Sequence, residues 1–298
     1  MAKRQIPMER FAVHKKRAEG IRKYLIAGIK KIPSQKVAVA MSAGVDSHAL
    51  LFAALEAGKT PVLYSFTLDD RKSRDFSCAK RTARILDLEF VPVILPTDIK
   101  VLKKYVTTEI YGPANDGYIV NKASVECLWP FFRLLDRVKE PAVLLGLFGD
   151  SWYCTSRSQK KLWVTGDYNK VVEAYLKLAT GKAINTQVLM MQGHIKAAKL
   201  QTRLFTPYGD PKLFAVMKGM DPIHEGCYPI QKAPVRLAFW DYFEKCKESV
   251  YTHVSLQKGD SGIEEHFRKL LKTDLNQKNY KSTVGLYNEQ LRKWQTAN

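Results

Sequence analysis

Within six consecutive residues, Ser42-Ala43-Gly44-Val45-Asp46-Ser47, the chain gathers two hydroxyls, one carboxylate and one residue without a Cβ. That set suits a phosphate group. Glycine lets backbone approach an anion closely, the hydroxyls donate to its oxygens, and a carboxylate is a hard ligand for the Mg²⁺ that accompanies a nucleotide. The flanking residues supply the support such a loop requires. Val37-Ala38-Val39-Ala40 reads as a strand buried on both faces, and Leu50, Leu51, Ala54 and Leu55 start a helical apolar pattern just after the loop. A helix N-terminus holds unpaired N–H groups and a partial positive charge, so the junction attracts anions. The same residue types also cap ordinary strand-to-helix turns. His48, directly after the loop, reads as a packed or exposed helix residue within reach of a nucleotide.

Beyond the loop, strand and helix patterns alternate. Strands are expected at 60–67, 89–95 and 142–146, with helices at 73–87, from 98 onward, and at 124–139. This alternation predicts an α/β fold with a doubly wound parallel sheet, whose ligands sit at the carboxyl ends of the strands. Asp69 and Asp70 follow one strand, and Asp150 follows another. There is no Gly-x-x-x-x-Gly-Lys-Ser/Thr and no Gly-x-Gly-x-x-Gly, which argues against a Walker-type ATPase and a dinucleotide site.

The 298 residues are 46% hydrophobic and 26% charged, enough for a substantial core. No run approaches the roughly 20 apolar residues a membrane span needs, so no membrane partner is expected. No signal peptide is read at the N-terminus. Cys78, Cys127, Cys154, Cys227 and Cys246 are scattered without a Cys-x-x-Cys, and the six histidines have no metal-ligand spacing. A cytoplasmic setting fits. The net charge of +19 favours an anionic partner, and residues 1–36 alone hold eleven Lys or Arg against Glu9 and Glu19. Phe11, Ala12, Ile21, Leu25, Ile26 and Ile29 give this segment a helical apolar face, leaving a basic outer face that is either simply solvated or a nucleic-acid contact.

The 42–47 segment resembles the Ser-Gly-Gly-x-Asp-Ser pyrophosphate loop of the ATP pyrophosphatase superfamily, with Ala43 where that loop carries its second Gly. From about 37 to 244 the order of segments is similar to the synthetase domain of asparagine synthetases. Tyr64-Ser65-Phe66-Thr67-Leu68 resembles the segment after which that family holds adenine. Leu145-Gly146-Leu147-Phe148-Gly149-Asp150-Ser151 resembles its second acidic signature, and residues 203–210 and 230–236 resemble two later elements. The resemblance implies an adenine nucleotide alpha hydrolase-like fold over 37–248, between a basic helix at 1–36 and a helical extension at 249–298. It implies ATP and Mg²⁺ as cofactors. Ser42, Ala43, Gly44, Val45, Asp46, Ser47, Phe66 and Gly146 would bind the nucleotide, and Asp46 and Asp150 the metal. Lys232 and Arg236 would be catalytic. Without the resemblance, their i, i+4 spacing reads as a shared solvated helix face.

The resemblance further implies adenylation of an acceptor oxygen, most simply a carboxylate, with release of pyrophosphate and attack by ammonia or an amine. Residues 152–166 and 181–203 would wall the acceptor site. Leu147 and Ser151 stand where the family has acidic residues, and no segment matches a glutaminase, so nitrogen would come from free ammonia, an amine or a separate ammonia-supplying partner. Two other readings stay open: a base-modifying enzyme of tRNA or DNA that uses the basic N-terminal segment, and a noncatalytic nucleotide-binding protein.

Overall fold

The Val-Ala-Val run at residues 37–39 becomes the central strand of a five-stranded sheet, bordered on both sides. The computed structural model describes the backbone of residues 8–112, 122–149, 170, 173, 186–217, 232–251, 261–271, 289, 290 and 293. Strands β1 (Lys36–Ala40), β2 (Thr60–Leu68), β3 (Phe90–Leu95), β4 (Ala142–Leu144) and β5 (Arg203–Phe205) lie in the order β3-β2-β1-β4-β5. Every pairing is parallel. The α/β class and the parallel sheet therefore agree with the sequence pattern, and β5 adds a strand that the pattern did not announce.

Alternation of side chains divides the interior into two cores. Val37, Val39, Leu63, Ala142 and Leu144 face one cluster, whereas Ala38, Val62, Tyr64, Val143 and Leu145 face the other. Helix α1 (Met8–Lys30) sends Ala18, Ile21, Leu25 and Ile29 into the first cluster, beside α2 (Val45–Glu56). That spacing of three and four residues is one face of a helix. The second cluster is closed by α5 (Lys122–Leu135), through Val125, Leu128, Trp129 and Phe132, and by Met190 and Met191 of α6 (Thr186–Ala197). Thus helices cover both faces of the sheet.

Helix α3 (Arg74–Leu86) begins at Ser73, whose side chain accepts from the Phe76 N–H, and ends on Asp87 in the left-handed region. Asp98 caps α4 (Ile99–Lys104) by accepting from Lys100 N, and a π-helical turn at Tyr105–Ile110 continues it. Later come α7 (Pro211–Met217), α8 (Ala233–Ala238), α9 (Trp240–Lys245) and α10 (Ile263–Leu271). Ile263 and Phe267 of α10 are fully buried in the second cluster, so the last part of the chain shares the core of the first. Of the helical extension expected at 249–298, residues 252–260 and all beyond Leu271 except Glu289, Gln290 and Lys293 lie outside the described residues. No described helix is long and apolar enough to cross a membrane.

From β1 the chain runs outward to β2 and β3, then returns to lay β4 on the other side of β1. The carboxyl ends of β1 and β4 therefore diverge in connection, which is where open α/β sheets form their crevice.

Candidate nucleotide site

Residues 42–47 connect β1 to α2 at that crevice. The loop is held by its own hydroxyls: Ser47 Oγ donates within 3.1 Å of the Ser42 and Gly44 carbonyls, and Gly44 N donates to Ser42 Oγ at 3.1 Å. Gly44 is the N-cap of α2 with φ −76° and offers no side-chain oxygen, so the first-turn amides receive no side-chain cap. Their alignment with the helix axis leaves a site for negative charge. Neither Ala43 nor Gly44 has positive φ, which explains why the chain tolerates a Cβ at position 43.

An outer clamp fixes the loop at Ala43. Its N–H donates to Asp75 Oδ1 at 2.7 Å, and its carbonyl accepts from Tyr251 N at 3.2 Å. The Tyr251 hydroxyl donates to the same Asp75 oxygen at 3.1 Å, and the Arg74 guanidinium lies 4.0 Å from the Tyr251 ring centre. Neither Asp75 nor Tyr251 was legible as a site residue. The available signal for Asp75 was its place in the first turn of a helix that follows the second strand; for Tyr251, no local pattern exists.

Asp46 is the point where distant segments meet. Lys232 Nζ lies 2.5 Å from its Oδ2, and the two side chains are only 5% and 13% exposed. Lys232 sits just before α8 with φ 59° and ψ 41°, a left-handed conformation uncommon for a residue with a long side chain. That conformation takes Lys232 off the α8 surface, so the solvated face shared with Arg236 does not form. Arg236 instead places its guanidinium 5.5 Å from the Phe243 ring centre, and burial holds its pKa below the ordinary value.

The loop after β4 covers the other side of Asp46. A Cβ added at Gly149 would fall 2.5 Å from Asp46 Oδ2, and one at Gly146 would fall 3.3 Å from Asp46 Cβ. Gly149 is therefore required by close approach, whereas a Cβ at Gly146 would be tight and need a small shift of its neighbour. After β5, buried Tyr208 brings its hydroxyl to 3.4 Å from the Asp46 carbonyl. Loops from β1, β4 and β5, and the residue preceding α8, thus converge on one residue, Asp46.

Other sequence-derived positions fall differently. Val45 is buried in the first cluster and Ser42 is partly buried at the loop. Phe66 is partly buried on β2 against the second cluster, with Val93 as its neighbour on β3. Leu147 packs against the same cluster. Asp69 accepts from both the N–H and the hydroxyl of Thr97, which lowers its pKa and ties the ends of β2 and β3. Asp150, Ser151 and residues 152–166 lie outside the described residues, as do 181–185.

His48 is fully buried. Its Nδ1 lies 2.9 Å from the Gly44 carbonyl, which can only accept, so Nδ1 carries the proton and Nε2 accepts from Thr82 Oγ1 at 2.9 Å. Burial pushes its pKa down to about 4, partly opposed by the Gly44 hydrogen bond. The ring therefore stays neutral at pH 7 and ties the loop to α3.

No protein-family model matches this chain, and no curated protein matches it either. Among the described residues no group of three or more His, Cys, Asp or Glu is arranged to hold a metal. A metal here would take Asp46 from the described residues and complete its shell with phosphate oxygens and water.

Proposed function

We propose that this chain binds Mg²⁺-ATP in the crevice between β1 and β4 and activates an acceptor oxygen by adenylation. The observation that carries the reading is the Asp46–Lys232 pair, set under Gly149 at a helix N-terminus that has no side-chain cap. The fit rests on these donors and on the close approach of the Gly149 backbone to the Asp46 carboxylate. The resemblance of residues 42–47 to a pyrophosphate loop points the same way.

The first-turn amides of α2 and the Ser42 hydroxyl bind phosphate oxygens. Asp46 holds the magnesium ion, which supplies charge neutralisation to the phosphate chain when bound. Lys232 leaves Asp46 for the phosphates and stabilises the negative charge that builds on the departing pyrophosphate. In the transfer, an acceptor carboxylate oxygen forms a bond to the α phosphorus while the bond to the β-bridging oxygen breaks. Pyrophosphate leaves, and ammonia or an amine then displaces AMP. Positioning and preorganised positive charge contribute most of the acceleration. Asp150 is proposed as a further metal ligand and Arg236 as a support for the 232–238 segment; the cytoplasm, with its ATP pool, is the proposed setting.

The test is product analysis with α-labelled ATP and Mg²⁺, with ammonia present, across pools of small carboxylates. AMP and pyrophosphate should form with one pool and disappear in Asp46→Ala. ADP as the product, or unchanged ATP with every pool, would remove the ligase reading.

A further inference from the structure

The first helix carries a basic stripe that the nucleotide site does not use. Lys16, Lys23 and Lys30 are all exposed on α1 and recur every seven residues. Seven residues are almost two helical turns, so the three ammonium groups form one row at intervals of about 10 Å. Lys15 and Lys31 stand beside its ends, also exposed. Within the described residues none of these five lysines forms an ion pair, whereas the nearby Arg22 is bonded to Glu56 at 2.7 Å. At that spacing the exposed charges are largely screened from one another, and together they present a surface that attracts an anionic partner.

A concave site opens beside this row. A cavity of about 400 Å³ is lined by Lys15, Ala18, Glu19 and Arg22 of α1 and by Leu237, Ala238 and Trp240. Its wall is mainly apolar, and Trp240 is 40% exposed, unusual for so large a ring. Glu56 holds the Arg22 guanidinium in place, and Glu19, which makes no ion pair among the described residues, adds one acceptor. A flat ring with amino groups at its edge, joined to a chain of phosphates, matches every part of this arrangement. The indole and guanidinium offer stacking surfaces, Glu19 accepts from an exocyclic amine, and the lysine row follows the backbone. An anionic membrane fits less well. Among the described residues the other large exposed apolar side chains, Ile94, Ile99 and Val101, lie on β3 and α4 rather than beside the stripe, and surface-bound helices anchor through several such groups.

We propose that α1 and the α8–α9 junction form a binding surface for single-stranded nucleic acid, with one base received against Trp240 and the phosphates along Lys16, Lys23 and Lys30.

Fluorescence anisotropy of a labelled 12-nucleotide single strand, titrated with the full chain at several salt concentrations, tests it. Replacing Lys16, Lys23 and Lys30 by Gln should weaken binding roughly tenfold and flatten the log–log salt slope by about 2, given about 0.7 per phosphate contact on a single strand. Trp240→Ala should weaken binding about tenfold while Trp240→Phe retains most of it, because a ring still stacks. A control that removes equal charge elsewhere, Lys80, Arg84 and Lys100 to Gln, should change affinity less than threefold. The proposal fails if the control loses as much as the stripe variant, if Trp240→Ala binds like the parent, or if only anionic vesicles are bound. Circular dichroism of each variant separates loss of binding from loss of fold.

Discussion

Two residues of one helical turn, Asp46 and His48, are treated in opposite ways. Asp46 reaches toward the crevice and meets Lys232 from 186 residues away. His48 turns to the back of the same turn, loses its charge to burial and locks the Gly44 carbonyl to Thr82. The front is a pair that a ligand can separate, because phosphate oxygens and a metal can replace each partner. The back is a fixed joint, whose hydrogen bonds a nucleotide has no means of replacing. A mobile front is useful only on a rigid back: the loop presents Asp46 at one position because His48, Asp75 and Tyr251 hold its carbonyls and amides from behind.

The largest expected effect comes from breaking the front on one side only. Asp46→Ala leaves the Lys232 ammonium buried without its counter-charge, which should cost about 3–5 kcal/mol, whereas removing both charges together should cost less. Chemical denaturation of Asp46→Ala, Lys232→Met and the double variant checks this through a double-mutant cycle. If the double variant is the least stable of the three, the pair contributes to stability rather than being held for exchange. All three should lose nucleotide binding, since the contacts proposed for phosphate and metal go with them.

The front also separates what could be read in the chain from what could not. The strand, loop and first turn were legible because their information is local: β-branched residues, a glycine, hydroxyls and the onset of a 3.6-residue period. The layering of helices on the sheet followed from the alternation of patterns. The pairing of Asp46 with Lys232 had no local signature: the resemblance assigned Asp46 to the metal and Lys232 to the phosphates, and the contact between them appears only in the structure. Spacing was misleading at Lys232 and Arg236, where i, i+4 suggested one exposed face. The left-handed backbone at Lys232 breaks the helical geometry on which that rule depends. Gly149 stood in the sequence only as part of the 145–151 segment, although its missing Cβ is what admits Asp46. Asp69 shows the reverse case, a carboxylate at a strand end that serves Thr97 and the loop geometry.

Acid should attack the back next. The folded pKa of His48, about 4, lies below its ordinary value of 6.5. Between these values the unfolded chain takes up a proton that the folded chain refuses. Stability from this site is therefore complete above pH 6.5, falls as pH drops toward 4, and changes no further below that. A shift of this size corresponds to ~3 kcal/mol. The measurement is the difference in unfolding free energy between the parent and His48→Gln from pH 7.5 to 4, which cancels titrations common to both. The variant should be the less stable at pH 7.5, with the gap narrowing as pH falls. A gap independent of pH would mean that His48 titrates alike in the folded and the unfolded chain, and a gap that widens toward acid would mean that it is charged in the fold.

The smallest effect should come from the outermost part of the clamp, and it distinguishes support from contact. Tyr251→Phe removes one hydroxyl donor to Asp75 and leaves Ala43 N–H on that carboxylate and Tyr251 N–H on the Ala43 carbonyl. The loss of one such hydrogen bond, half open to solvent, should cost about 1 kcal/mol of stability. Nucleotide affinity should change by no more than that amount allows, about fivefold, because the Tyr251 hydrogen bonds run to the Ala43 carbonyl and to Asp75 and act by holding Ala43 still. Calorimetric titration with Mg²⁺-ATP beside a thermal melt compares the two quantities directly. An affinity loss far larger than the stability loss would mean that Tyr251 reaches the ligand itself, and that the nucleotide extends over the back of the loop as well as its front.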